Sequence, residues 1–350
     1  MGDLLLPSLE ITNFRAFRQL RIERLARVNL IVGKNNVGKS SLLEALWLYA
    51  CRGDPSIISE QLAVREESAL QNSFTGLSPS SHALRNLFFQ RPDVIAQGGR
   101  LSIGSDDVPD QRLTIAIEHH PDPSPQLRGR VPLFVLRVGD KAHFFTDPIH
   151  TTLDAHTLLG ISLIPHSIIV ARDLPPQYVT TLWDRIALTN REEDVVMALR
   201  ILAPEIERVN MLADPAVGPQ RIAMARVQGN RQPIALRSYG DGMLRLFVLA
   251  LALVNAPQGM LLVDEIENGL HYAALPDMWR LIFDVAARLN VQVFATTHSW
   301  DCIEAFQIAA AATVEEGEAI RLGWKGRDVV ATLFNEQELA LIVRDQIEVR

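Results

Sequence analysis

The sequence predicts an α/β protein in which a mixed sheet is flanked by helices. Three observations carry this expectation. A continuously apolar stretch, Val28-Asn29-Leu30-Ile31-Val32, reads as an interior strand. It runs through a Gly-containing turn into leucines spaced as on a helix from Ser40 to Ala50. From Gly242 to Ala311, helical and strand patterns then alternate, as they do where strands of a sheet run parallel.

The elements follow in order. Leu9–Phe14 alternates apolar and polar residues like a half-buried strand, and Leu20–Glu23 does the same. After the helix to Ala50, the stretch from about Arg52 to Asn230 is broken often by Pro, Ser and Gly. Within it Arg100–Ile103, Leu113–His119 and Val131–Val138 read as antiparallel strands, and Asp122-Pro123-Ser124-Pro125 as an exposed loop. Gln177–Leu202 reads as two helices around Thr189-Asn190-Arg191, and Ile222–Leu236 as a hairpin turning at Gly229-Asn230. Regularity returns with a helix over Gly242–Val254, a buried strand over Met260–Val263, an amphipathic helix over Ala273–Leu289, a strand over Val291–Ala295 and a helix over Trp300–Ala311. One domain spanning 1–350 is expected, with its core in 1–51 and 231–350 and an α+β insertion over 52–230.

Composition narrows the function classes. Of the 350 residues 48% are apolar and 21% charged, so there is material for a core and global disorder is excluded. The net charge of -7 argues against coating nucleic acid by bulk charge. Two cysteines, Cys51 and Cys302, exclude a disulfide scaffold and suit a reducing compartment. Met1–Leu6 has no basic n-region, and the most apolar run, Leu246–Ala256, is about half a bilayer span. A cytoplasmic protein without a membrane partner is expected.

Two motifs carry chemistry. Gly33-Lys34-Asn35-Asn36-Val37-Gly38-Lys39-Ser40 matches G-x-x-x-x-G-K-[ST], and it lies where that motif must lie, between a buried strand and a helix. Glycines let the backbone close on phosphate, while loop N–H groups and the helix N-terminus supply donors. Gly33, Asn35, Asn36, Val37, Gly38, Lys39, Ser40 and Ser41 are the expected nucleotide contacts, with Lys39 on the β- and γ-phosphates and Ser40 on Mg²⁺. The second motif is the strand Met260–Val263 ending in Asp264-Glu265. Carboxylates at the C-terminal end of a parallel strand face the ligand crevice. Asp264 is the expected Mg²⁺ ligand, directly or through water, and Glu265 the base for an attacking water. Two weaker signals follow: Ser238-Tyr239-Gly240 opening a helix, and His298 after the strand ending in Thr296-Thr297.

The order of these segments resembles the ABC-type ATPases. The opening Ile11–Phe17, the Gly33-Lys34-Asn35-Asn36 form of the loop and Asp264-Glu265-Ile266-Glu267-Asn268-Gly269-Leu270-His271 resemble the SMC/RecF/OLD-like branch, in its OLD-like "AAA family ATPase" form. The resemblance covers about the first fifty residues and Arg237–Phe306. It implies a P-loop NTPase head that binds ATP and Mg²⁺ and hydrolyses ATP, and a homodimer holding ATP between subunits. It further implies that Ser238 and Gly240 contact the γ-phosphate held by the opposite subunit. Lys39, Glu265 and His298 would be catalytic, His298 as the switch histidine, and Glu267–Leu270 would cross the dimer interface. The signature departs from the transporter form Leu-Ser-Gly-Gly-Gln, which argues against a transporter. The Q-loop glutamine has only candidates, Gln71 and Gln90. About fifty residues follow His298, too few for the Toprim nuclease of OLD proteins, so a separately encoded nuclease or other effector is the expected partner, in a DNA-related or phage-defence process. The alternative is a RecF-like, ATP-gated DNA-binding repair protein.

Other polar residues are set aside or held weakly. His119, His120, His143, His150, His156 and His166 match no zinc spacing. Arg15, Arg18, Arg21, Arg24 and Arg27 recur every third residue, as a basic edge for a nucleic-acid backbone or, more simply, as a solvated strand face. Arg237 and Arg245 flank the signature as candidates for steadying phosphate or the dimer, and Arg172 is a weaker nucleotide candidate.

Overall fold

The structure is a computed structural model and describes residues 4–67, 83–121, 130–145, 157, 159–170, 176–213, 221–313 and 316–349. The alternating opening segment forms the hairpin β1 (Leu9–Phe14) and β2 (Phe17–Ile22), with Leu9, Ile11 and Phe14 buried. The apolar β3 (Val28–Val32) feeds α1 (Lys39–Ala50), and α2 (Pro55–Val64) follows, capped by the Asp54 side chain on the Ser56 N–H. Antiparallel β4 (Gly99–Gly104), β5 (Leu113–Pro121), β6 (Arg130–Val138) and β7 (Lys141–Phe145) extend the first hairpin into a six-stranded sheet ordered β2-β1-β4-β5-β6-β7.

The second sheet holds the site. After β8 (His166–Ile169) come helices α3 (Pro176–Ile186) and α4 (Arg191–Arg200), separated at the expected polar break. The small antiparallel sheet of β9 (Ile206–Ala213), β10 (Arg221–Val227) and β11 (Ile234–Ala235) follows, and then α5 (Asp241–Val254). The chain continues through β12 (Met260–Val263), α6 (Leu275–Leu289), β13 (Gln292–Thr296) and α7 (Trp300–Ala310). It closes with the hairpin β14 (Gly317–Lys325) and β15 (Asp328–Phe334) and helix α8 (Glu336–Arg344). The sheet order is β15-β14-β3-β13-β12-β8, parallel except for the edge strand β15.

Two cores cover the two faces of this sheet, and the pleat assigns residues to each. Val28, Leu30, Leu261, Val263, Val293 and Ala295 face the helical layer of α3–α8. Ile31, Met260, Leu262 and Phe294 face α1, which lies between the two large sheets. That position explains a helix apolar on nearly every side: ten of the twelve residues of α1 are buried.

The elements of the first fifty residues and of Gly242–Ala311 lie where the sequence places them. Three features differ. Strand β8, within 52–230, pairs with β12 and so belongs to the nucleotide-side sheet itself. Its four residues carry no periodicity to reveal it. The β14–β15 hairpin extends the same sheet, and β11 is only two residues long. The expected loop at Asp122–Pro125 lies outside the described residues. No helix among the described residues is long and apolar enough to cross a membrane.

Candidate functional site

The carboxyl ends of β3, β12 and β13 meet at one point, the position where open α/β sheets bind ligands. The loop leaving β3 turns at Gly33, with φ 140°, and enters α1 through Gly38, with φ 110°. Both lie in the backbone region that favours glycine. At Gly33 space is also lacking, because a Cβ would sit 2.4 Å from the Leu322 carbonyl oxygen on β14. The unpredicted terminal hairpin therefore presses on the loop and fixes its first residue.

Lys39 is 6% exposed. Its Nζ donates to the carbonyl oxygens of Gly33, at 2.6 Å, and Lys34, at 3.1 Å, and lies 3.4 Å from His298 Nδ1. Burial lowers its pKa from 10.5, against the raising pull of the Asp264, Glu265 and Glu267 carboxylates. An ammonium can only donate, so Nδ1 of His298 is the acceptor here and Nε2 carries the proton. That nitrogen is 3.7 Å from Glu265 Oε1.

The acidic strand end is held from several sides. Ser40 Oγ donates to Asp264 Oδ2 at 3.0 Å, and Thr296 Oγ1 donates to Asp264 Oδ1 at 2.6 Å. Thr296 also accepts the Glu265 N–H at 2.8 Å. Arg245 Nη2 donates to the main-chain oxygens of Asp264, at 3.1 Å, and Glu265, at 3.0 Å. Glu265 itself has φ 49°, a left-handed conformation uncommon for this residue type and of a kind that collects at functional sites. Asn268 Nδ2 donates to Glu265 Oε2 at 2.6 Å. Glu267 reaches the other way, and its Oε1 accepts the N–H groups of His298, at 2.9 Å, and Ser299, at 3.1 Å.

These groups line a groove of about 810 Å³ whose walls include Asn35, Asn36, Gly38, Lys39, Ser40, Ser41, Asp264, Glu265 and His298. Gly33 and Val37 stand behind it as loop framework, both buried. Gln90 is on the wall, whereas the other Q-loop candidate, Gln71, lies outside the described residues, as do Arg172, His150 and His156. The donor set suits a triphosphate with Mg²⁺: a desolvated ammonium, loop N–H groups at a helix start, and one hydroxyl with one carboxylate as hard oxygen ligands. Two such ligands suffice, since Mg²⁺ takes its others from phosphates and water. Accordingly, no group of three His, Cys, Asp or Glu among the described residues is arranged to hold a metal alone.

Ser238 and Gly240 are not brought to this groove. Both are exposed, at the start of α5, and neither lines it. Gly240 has φ 96°, with nothing within 4 Å of where a Cβ would stand. Arg245 fastens the backbone of Asp264 and Glu265. Thr296, Arg245 and Glu267 are the supports that motif spacing did not reveal. For Thr296 the available hint was a hydroxyl inside an otherwise apolar strand, which must find a partner when buried.

The arginine series is used inside the molecule. Arg15 Nε pairs with Glu44 Oε2 at 2.6 Å and its Nη1 with Glu67 at 2.9 Å, both beside the groove. Arg24 pairs with Glu318 and Arg27 with Glu316, each at 2.7 Å, and Arg18 with Asp328 at 3.4 Å. Arg21 stands opposite Glu10 across the β1–β2 hairpin. Carboxylates thus offset most of what the spacing offered as a basic edge.

Comparison with known proteins finds AAA-type ATPase domains and Smc heads. The family described as "AAA ATPase domain" matches residues 5–72. The family described as "AAA domain, putative AbiEii toxin, Type IV TA system" matches residues 144–301. A curated relative, "ATP/GTP phosphatase" of Helicobacter pylori, is 22% identical over 340 residues, covering 86% of this chain and 87% of the relative. Among solved structures, an Smc head bound to the C-terminal winged-helix domain of ScpA superposes with a TM-score of 0.57 at 15% identity, covering 94% of this chain and 98% of that one. The Smc head with an extended coiled coil, bound to the C-terminal domain of ScpA derived from Pyrococcus furiosus, gives 0.52 at 13% identity, covering 98% and 99%. These structural likenesses concern the fold.

Proposed function

Since the chain is an ABC-type ATPase of the SMC/RecF/OLD-like branch, we propose that it hydrolyses ATP in the groove between Lys39 and Glu265, as a head that closes on a second copy of itself. The observation that carries this reading is the convergence of Lys39, Ser40, Asp264, Glu265 and His298 at the ends of three adjacent parallel strands. Residues 1–350 form one such head in this reading.

The chemistry follows from the side chains. Lys39 exchanges its two carbonyl contacts for β- and γ-phosphate oxygens. Ser40 and Asp264 hold Mg²⁺, which when bound offsets phosphate charge. Glu265 accepts a proton from water as the water oxygen attacks the γ-phosphorus in line; the bond to the β,γ-bridging oxygen breaks and its electron pair leaves with ADP. Asn268 holds one carboxylate oxygen of Glu265, and His298 Nε2 stands 3.7 Å from the other, on the side of that water. Ser238 and Gly240, exposed and away from their own groove, serve the γ-phosphate of the second copy, a twofold arrangement that closes on itself.

The head works in a cytoplasmic, DNA-related or defence process, and passes its ATP state to an effector such as a nuclease, as the Smc heads it superposes on are bound to ScpA. The burial of the Arg15 and Arg27 side chains in ion pairs removes two of the five arginines from any basic edge and disfavours the RecF-like clamp as the main reading.

Two experiments test this. Glu265→Gln is expected to cut steady-state hydrolysis by about 100-fold or more and to accumulate an ATP-bound dimer by light scattering. Unchanged hydrolysis removes Glu265 as the base. For the shared site, Lys39→Ala and Ser238→Arg are each expected to be inactive alone, and their mixture to regain hydrolysis through heterodimers with one intact site. A mixture as inactive as its components refutes it.

A further inference from the structure

Two residues from different strand ends stand at the two carboxylate oxygens of this base. Asn268, on the turn after β12, holds Glu265 Oε2 at 2.6 Å. His298, after β13, stands 3.7 Å from Oε1. Asn268 is exposed on a turn, and His298 lies between the end of a strand and the Ser299 cap of α7. Beside the Ile266 N–H to Thr296 carbonyl bond that ties the two strand ends, Glu267, one residue before Asn268, joins them through Oε1, which takes the main-chain N–H groups of His298 and of Ser299, the latter shared with Thr297 Oγ1. A carboxylate accepting two main-chain N–H groups makes strong, directional bonds at a helix start.

We propose that Glu267 is the positioning residue of the reaction: it ties the turn carrying Asn268 to the backbone of His298, so that both arms of Glu265 are set together or not at all. The inference rests on the ATPase reading above. Among the described residues the buried Oε2 of Glu267 has no hydrogen-bond partner, and the bonds of this carboxylate to His298 and Ser299 run through Oε1.

The chemistry of the substitutions separates this from a general structural role. Glu267→Gln keeps a carbonyl oxygen that can accept both N–H groups, while Glu267→Ala removes the tie. A misplacement of about 1 Å at a reacting group costs about 100-fold in rate. Glu267→Ala is therefore expected to lower kcat about 100-fold with KM for ATP changed by less than about 3-fold, and Glu267→Gln to restore at least a tenth of wild-type kcat. His298→Ala is expected to lower kcat in the wild type but by less than about 2-fold further in Glu267→Ala, because the arm it removes is already adrift. Multiplicative losses in the double variant, or a loss confined to KM, overturn the proposal. Equal loss in the Gln and Ala variants also overturns it. Loss of ATP binding in Glu267→Ala, read by equilibrium titration, overturns it in favour of a folding role. Failure of the underlying reading is seen separately, as hydrolysis that survives Glu265→Gln.

Discussion

Thr296→Val is the sharpest test of how the acidic strand end is held. Thr296 is fully buried, and valine replaces its hydroxyl with a methyl group of nearly the same size, so no cavity opens. Two hydrogen bonds disappear. One runs from Oγ1 to the Asp264 carboxylate at 2.6 Å, and a bond to a charged acceptor contributes about 1.5–3 kcal/mol. The other satisfies the Glu265 N–H at 2.8 Å, and leaving a buried donor unpaired costs about 1–3 kcal/mol. Together they amount to about 2.5–6 kcal/mol. At roughly 2.1 cal/mol/K of unfolding entropy per residue, a chain of 350 residues melts about 3–8 °C lower for that loss. The site also loosens. Asp264 retains Ser40 as its remaining side-chain donor among the described residues, so half-saturation by Mg²⁺ is expected to rise several-fold, with kcat reduced. Calorimetry and ATPase assays across Mg²⁺ concentration read both effects. Thr296→Ser keeps the hydroxyl and is expected to retain the wild-type Mg²⁺ dependence. A valine variant that melts within 1 °C of wild type (a threshold set by the estimate above) and hydrolyses with unchanged Mg²⁺ dependence refutes the reasoning.

Two further predictions follow from the surrounding structure. Gly33→Ala places a Cβ 2.4 Å from the Leu322 carbonyl oxygen at φ 140°; it is expected to abolish binding of a fluorescent ATP analogue and to destabilise by at least about 1–3 kcal/mol, while binding at wild-type affinity would show that the hairpin does not brace the loop. The Glu318 carboxyl is held above its ordinary value of 4.5, first by burial and with help from Glu338, against the lowering pull of Arg24. Its folded pKa is raised, so its contribution to stability is present at low pH and is lost as pH climbs from the ordinary value through the raised one. Glu318→Gln is expected to flatten the dependence of Tm on pH above about 4.5 and to raise Tm at neutral pH; a Tm that falls at neutral pH, with the dependence intact, would show that the Arg24 pair dominates.

The chemistry of the site was legible because motif chemistry is local. A triphosphate loop needs its glycines, Lys39 and Ser40 within eight residues, and an acidic strand end needs an apolar run before Asp264-Glu265. The periods of 2 and 3.6 likewise gave β1, β3, α1 and the α5–α7 region, because one face of each of these elements meets a core. What spacing could not reach is the support: Arg245 and Thr296 hold Asp264 and Glu265 from 19 to 32 residues away, and Glu267 holds His298 across 31. Strand β8 was invisible because four residues fix no period, and the arginines read as a possible edge because the chain does not announce Glu44, Glu316 or Glu318 as their partners.

The sequence alone therefore determined which chemical groups this protein brings, since the phosphate-loop motif and the Asp264-Glu265 strand end, proposed above as metal ligand and base, are written as contiguous words. The tertiary structure decided how they are aimed, by placing β3, β12 and β13 side by side so that Lys39, Asp264, Glu265 and His298 share one groove. It also decided that the terminal hairpin locks Gly33 and that Glu267 bridges two strand ends. The physical reason is that hydrogen bonds and close contacts act over about 3 Å of space, whatever the distance along the chain.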